Sequence, residues 1–381
     1  MKSDNFIKKI SNIETPFYYY DINLLNETLD LLKKESSKYD FVVHYSLKAN
    51  SNDKILSIIN KYGFGADCVS GNEIVKAIET GFKAQSIVFA GVGKTDKEIL
   101  TGINNNIFCF NVESLQEIEV INQLARQKNK KVRIALRINP DIDAKTNKNI
   151  TTGTKLNKFG IPKDEINMII SNINNYKNIE LIGIHCHIGS QITDMNVYKK
   201  LCLFLNKTIA KFETNGIKLK HINVGGGLGV NYVCPNTDKF PDFKNYFKIF
   251  ADNIKLSRNQ KLHFELGRSV VAQCGTLVTK VLYVKNGYNT KFAIVDAGMT
   301  NLIRPALYNS FHKIENISSN ETEEKYDVVG PICESTDVFA KGILLPHVKR
   351  NNLIAIRSIG AYGEVMASKY NLRDIAKSVF V

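Results

Sequence analysis

Along the first two thirds of the chain, short apolar runs alternate with stretches in which Ile and Leu recur every three or four residues. The runs are FVVHYS from 41, GFGADCVS from 63, SIVFAG from 86, IFCFNV from 107, RIALRIN from 133, LIGIHCHIGS from 181, HINVGGG from 221 and LHFELG from 262. Their length, their β-branched and aromatic content and their flanking turn residues predict eight strands. Between them, segments such as NDKILSIINKYG (52–63) and SLQEIEVINQLARQ (114–127) carry the helical period of a face that covers a sheet. Eight alternations of strand and helix predict an α/β fold, a (β/α)8 TIM barrel, with a doubly wound open sheet as the alternative.

The ends of the predicted strands favour the barrel. Lys48 follows the first strand, Asp67 closes the second, His187 and Ser190 close the sixth, Gly225, Gly226 and Gly227 the seventh, and Glu265 and Arg268 the eighth. A barrel gathers all of these on one rim, whereas an open sheet keeps its first and eighth strands apart. After residue 268 the texture changes. GTLVTKVLYVKNG, TKFAIVDAG, EKYDVVGPICES and LIAIRSIGAYG are short β runs with little helix between them, which predicts a second, all-β domain of Greek-key-like character. FYYYD (17–21) is strand-like and precedes the barrel, so it is assigned to that domain. The expected division is 31–267 for the barrel, with 1–30 and 268–381 forming the β-domain.

Composition changes this picture little. With 381 residues, 44% of them hydrophobic, the chain suits two cores. A formal charge of +14 raises the question of nucleic acid, but the lysines are spread out and only KNKK (128–131) is dense. That run has no interleaved aromatics for base stacking and reads as a solvated helix end, so no nucleic-acid partner is expected. The basic opening MKSDNFIKKI lacks an apolar signal core, and no run approaches the roughly 18 apolar residues of a membrane helix. A cytoplasmic protein without membrane contact is expected. The seven cysteines (Cys68, Cys109, Cys186, Cys202, Cys234, Cys274, Cys333) are odd in number and contain no CxxC pair, which fits reduced thiols.

The candidate chemistry starts at VVHYSLKAN (42–50), where an apolar run ends on Lys48. A partly desolvated lysine pairs with an acid or is used covalently, for instance as a Schiff-base amine. VGGGLG (224–229) offers backbone N–H groups to an anion, and Ser190 and Arg268 add a hydroxyl and a fork-shaped cation, a set that could hold one phosphate. Phosphate beside a Schiff-base lysine points to pyridoxal 5'-phosphate, whose pyridine nitrogen needs an acidic partner, for which Glu265 is the candidate. His187 is placed flat against the ring and His185 is taken as a bystander. A rival reading uses His185 and His187, spaced i, i+2, as zinc ligands of a metal-dependent barrel hydrolase. It needs further ligands at other strand ends, and His44 and His263 lie inside their strands.

HYSLKAN, HCHIGSQ, INVGGGLG, ELGR, DAGMTNLIRPALY, GPICES and GAYG stand in one order between residues 44 and 363, within a resemblance that covers residues 15–375. In that order and spacing the chain resembles the fold-type III pyridoxal-phosphate decarboxylases, and among them is similar to the diaminopimelate decarboxylases. The resemblance implies decarboxylation of meso-2,6-diaminopimelate to L-lysine and CO2 by a homodimer with shared active sites. It implies cofactor contacts from Lys48, Asp67, His187, Ser190, Gly226, Gly227, Glu265, Gly267, Arg268 and Tyr362. It further implies that Arg268, Arg304, Tyr308, Glu334 and Tyr362 grip the substrate, and that Cys333 of a partner subunit returns a proton after CO2 leaves. Such a set suits a substrate with an amino acid group at each end, arginines answering the distal carboxylate and Glu334 the distal ammonium. Carboxynorspermidine decarboxylase, or another basic amino-acid decarboxylase of this fold, is the nearest alternative. Three departures from the family pattern stand out: Leu266 in place of a proline, Asn301 in place of an aspartate, and an early end at KSVFV, where a weaker closing edge of the β-domain is expected.

Overall fold

The strand starts and stops follow from local chemistry. In the computed structural model, which describes residue 10 and residues 12–144, 152–153 and 157–381, side chains of Asn52, Ser70, Thr95 and Ser114 accept backbone N–H groups at the starts of helices Asp53–Lys61, Gly71–Glu79, Asp96–Asn104 and Leu115–Gln127. Each cap satisfies donors that a helix start leaves open, so the chain turns from strand end to helix within a few residues. The basic opening, residues 1–9, for which no signal core is expected, lies outside the described residues. The KNKK run begins at the C-cap of helix Leu115–Gln127, as expected. Its Lys130 Nζ is not idle: it donates to the carbonyls of Ile103 at 2.8 Å and Asn104 at 3.2 Å.

Sixteen strands occur among the described residues, and they divide between two compact units. β1 (Phe17–Tyr20) belongs to the β-rich unit. β2 (Val42–Ser46), β3 (Gly65–Cys68), β4 (Ile87–Phe89), β5 (Cys109–Val112), β6 (Val132–Arg137), β7 (Ile179–His185), β8 (His221–Asn223) and β9 (Lys261–Leu266) form a closed parallel barrel. These are the eight predicted runs, in sequence order. Closure is made by β2 on β9, with Val42 opposite His263 and His44 opposite Glu265, which excludes the open sheet. Val88, Cys109, Ala135 and Ile182 make an apolar layer inside the barrel.

The second unit gathers the described residues up to Glu27, the segment Val230–Phe240 and Val271–Val381. Its strands are β10 (Gly275–Asn286), β11 (Lys291–Val295), β12 (Ile314–Asn316), β13 (Glu323–Val329), β14 (Val338–Pro346), β15 (Leu353–Arg357) and β16 (Lys377–Phe380), joined to β1. The order is β12-β15-β10-β11-β13-β14, with β1 on β10 and β16 on β1. FYYY pairs antiparallel with β10, Phe17 opposite Val278, so the early strand does belong to this sheet. KSVF is itself a strand, parallel to β1. β14 and β16 carry no clean alternation and β12 is only three residues long; none of the three was predicted. Phe17, Tyr19, Val278, Ile317 and Ala355 pack together in the core of this unit. Among the described residues no helix is long and apolar enough to cross a membrane.

Candidate cofactor and catalytic site

β2 ends at Ser46, and Leu47–Ala49 form a single tight turn that carries Lys48 clear of the barrel wall. Its Nζ donates to Asp67 Oδ2 at 3.0 Å, and the Ser46 hydroxyl donates to the same oxygen at 2.8 Å. The lysine at the end of the apolar run is therefore paired with an acid. Asp67 is fully buried and its Oδ1 has no partner. Burial pushes its carboxyl up, Glu265 adds to this, and Lys48 opposes it.

Glu265, at the end of β9, is held by three side-chain donors. Oε1 accepts from Asn111 Nδ2 at 3.0 Å and from Asn223 Nδ2 at 2.7 Å, and Oε2 accepts from His185 Nε2 at 3.0 Å. All four side chains are buried. Burial alone would raise this carboxyl, but His185, with Lys48 and His187 adding, holds it well below the usual carboxylate range. Three N–H donors converging on one carboxylate favour its charged form. His185 is thus no bystander. Asn111 and Asn223 were also missed, although each is a polar residue in an otherwise apolar strand, which was the signal available.

Burial, then the charges of Lys48 and Arg137, drive the His187 pKa well below its ordinary value, so the ring is neutral. Its Nδ1 accepts the Gly226 N–H at 3.1 Å, which leaves the hydrogen on Nε2. The glycine run is required by space. A Cβ on Gly226 would run into the Glu265 carbonyl, and one on Gly227, at φ +102°, would lie 2.6 Å from the Gly189 carbonyl oxygen. At the next strand end, Arg268 donates to Ser190 Oγ from Nε at 3.2 Å and from a terminal nitrogen at 3.0 Å. A Cβ on Gly267 would press on Ala49 Cβ at 2.9 Å, so this glycine lets the end of β9 approach the Lys48 turn. The Gly225 and Gly226 N–H groups are committed to Asn223 Oδ1 and His187 Nδ1, so what these strand ends offer a phosphate is the Ser190 hydroxyl, the Arg268 guanidinium and the unobstructed backbone beside Gly227, with the orphaned Asp67 oxygen and the charged Glu265 adding polar capacity inside the barrel.

In the β-rich unit the remaining predicted residues fall into two groups. Arg304, buried at the start of helix Arg304–Tyr308, donates to Tyr232 Oη at 3.1 Å and to His312 Nε2 at 3.0 Å. His312 in turn donates from Nδ1 to the Arg357 carbonyl at 2.8 Å, so the guanidinium is held by a neutral imidazole. Tyr308 closes the same helix, before Asn309 at φ +52°. Cys333 and Glu334 are exposed on a turn organised by Asp337, whose carboxylate accepts the N–H of Ile332 at 2.7 Å and of Met299 at 2.6 Å. Tyr370 Oη donates to Glu334 at 2.6 Å. Tyr362 has φ +58°, a left-handed conformation rare for an aromatic residue. Asn301 accepts the Gly298 N–H at 3.0 Å, a role its side-chain oxygen fills as an aspartate oxygen would.

The metal reading requires a third ligand near His185 and His187. Among the described residues no group of three or more His, Cys, Asp or Glu could hold a metal ion, and His185 is committed to Glu265.

The family described as "Pyridoxal-dependent decarboxylase, pyridoxal binding domain" matches residues 23–272. A diaminopimelate decarboxylase of Bacteroides thetaiotaomicron is 56% identical over 97% of this chain and 96% of its own length. The chain belongs to the diaminopimelate decarboxylase family. It is similar in structure to the diaminopimelate decarboxylase of Helicobacter pylori complexed with L-lysine, with a TM-score of 0.91 at 38% identity, covering 99% of this chain and 94% of that one. The corresponding enzyme of M. jannaschii in co-complex with L-lysine gives a TM-score of 0.91 at 33% identity, covering 99% and 89%. Membership makes the protein a pyridoxal-dependent carboxy-lyase and accounts for a glycine cradle, a rim lysine and a buried carboxylate sharing one barrel.

Proposed function

We propose that this enzyme binds pyridoxal 5'-phosphate through Lys48 and decarboxylates meso-2,6-diaminopimelate to L-lysine and CO2, with Lys48, Glu265 and the Ser190–Gly226–Gly227–Arg268 cradle as its cofactor site. The observation that carries the reading is Glu265, a buried carboxylate kept charged by three N–H donors in the barrel whose rim bears Lys48. Such a group has one evident use, to hold a protonated ring nitrogen. The cofactor, when bound, supplies an electron sink for the pair left on the α-carbon as CO2 departs.

The chain's own residues do the rest. Lys48 provides the amine that anchors the cofactor, and Asp67 with Ser46 orients it. Ser190, Gly226, Gly227 and Arg268 take the phosphate, and Gly267 allows β9 to approach the Lys48 turn. Neutral His187 would meet the cofactor ring without adding charge to it. From the β-rich unit we assign Arg304, Tyr308, Glu334 and Tyr362 to the substrate, with Arg268 shared, and Tyr362 also to the cofactor. Cys333, exposed on its turn, is assigned as the proton donor acting from the partner subunit of a homodimer. Seven free cysteines fit a reducing compartment, and we place the enzyme in the cytoplasm.

The test is to add pyridoxal phosphate to the purified protein, record the visible absorbance of the lysine-bound cofactor, then add meso-diaminopimelate and measure CO2 and lysine. The expected result is a band that Lys48→Ala abolishes, with stoichiometric lysine and CO2. Turnover of carboxynorspermidine in place of diaminopimelate would overturn the substrate assignment, and absence of a Lys48-dependent band would overturn the site.

A further inference from the structure

The inside of a (β/α)8 barrel is ordinarily filled by branched apolar side chains. Here Asn111 from β5, His185 from β7, Asn223 from β8 and Glu265 from β9 meet instead, each no more than 5% exposed. The division of labour among the donors is unequal. Both amides give their N–H to Oε1 and so occupy its two lone pairs, while His185 gives Nε2–H to Oε2. A carboxylate can only accept, so Nε2 carries its hydrogen whatever the charge of the ring. His185 Nδ1 is buried and has no partner, so the bond to Glu265 is the one side-chain hydrogen bond that orients this imidazole. The lone pair left on Glu265 for a further donor is therefore on Oε2, beside the histidine.

We propose that His185 is a positioning residue for the reaction: it holds Glu265 Oε2 ionised and aimed at the ring nitrogen of the cofactor, while Asn111 and Asn223 hold Oε1. The inference rests on the function proposed above and assigns to the first histidine of HCHIGS a role distinct from that of His187. Replacing it removes a donor to a charged acceptor, and a hydrogen bond of that kind is worth about 10-fold to 100-fold in an equilibrium.

The experiment compares cofactor-free wild type, His185→Leu, His185→Gln and His185→Asn for binding of pyridoxal phosphate and of its carbocyclic analogue, in which carbon replaces the ring nitrogen. Glutamine keeps a donor long enough to reach Oε2, whereas asparagine is polar but too short. Thermal unfolding of each cofactor-free variant verifies that it folds, and His185→Asn serves where His185→Leu does not. His185→Leu and His185→Asn are expected to weaken pyridoxal phosphate by about 10-fold or more and the analogue by under about 2-fold. His185→Gln should recover most of the loss, and kcat in the leucine variant should fall with KM nearly unchanged. Equal weakening of both ligands would reduce His185 to packing and overturn the proposal, as would wild-type affinity for both. A wild type that binds no cofactor or makes no lysine would instead refute the function itself, so the two failures are distinguishable.

Discussion

Glu73→Gln should stabilise the barrel above neutral pH and do much less for it near pH 5. Glu73 is the third residue of helix Gly71–Glu79; Ser70 Oγ accepts its N–H at 3.2 Å, and its own Oε2 reaches back to accept the Val69 N–H at 2.7 Å. A capping acid of this kind normally stays ionised. Here burial pushes its pKa from 4.5 up to about 7, with the Val69 N–H and Lys48 opposing and Asp67 adding. The folded state thus favours the protonated acid, and the cost of ionising it grows as pH rises from 4.5 and is complete above about 7. At roughly 1.4 kcal/mol per unit, that cost is about 3 kcal/mol at pH 8. Glutamine avoids it and, like the protonated acid, accepts from Val69 as a neutral group, and the pKa already contains the help that this N–H gives the charged form. The net gain is about 3 kcal/mol at pH 8, falling below about 1 kcal/mol near pH 5. With roughly 2–4 °C per kcal/mol for a domain of 150–250 residues, Tm of the cofactor-free protein should rise by about 6–12 °C at pH 8. Calorimetry of wild type and variant between pH 5 and 8 checks this, and two parallel Tm curves would refute the reasoning.

Gly226→Ala should abolish cofactor binding or folding, since its Cβ would meet the Glu265 carbonyl and two strand ends would have to part; far-UV circular dichroism and cofactor absorbance separate the two. Cys333→Ala should keep the visible cofactor band and lose kcat by at least about 100-fold, the usual worth of a positioned proton donor, and an unchanged kcat would remove the thiol from the reaction. Asn301→Asp should cost about 1–3 kcal/mol at pH 8, because aspartate keeps the acceptor for the Gly298 N–H but buries a charge, and urea unfolding at pH 8 checks this.

Period and breakers were enough to read eight strands, because each barrel strand is a short apolar run ended by a turn residue; Lys48, His187, Ser190 and Arg268 follow those ends within five residues, and Asp67 lies just inside its own. The strands of the β-rich unit were less legible. VFAKGILLP is a nine-residue strand whose burial does not alternate, and Val230–Phe240, flanked on both sides by barrel sequence, belongs with the β-rich unit. The largest omission was the set around Glu265. Glu265 itself was expected, but Asn111, His185 and Asn223, which surround it, are spread over three other strands, and each is marked only by being polar in a mostly apolar run. Their meeting is a property of barrel closure and register, since β5, β7, β8 and β9 must curve round to point inward at one height. Local sequence determines which residues can form a strand and what chemistry they carry. Which buried polar groups satisfy one another is decided only when the sheet closes, because a hydrogen bond inside a dry barrel depends on ångström distances between strands that the chain itself keeps far apart.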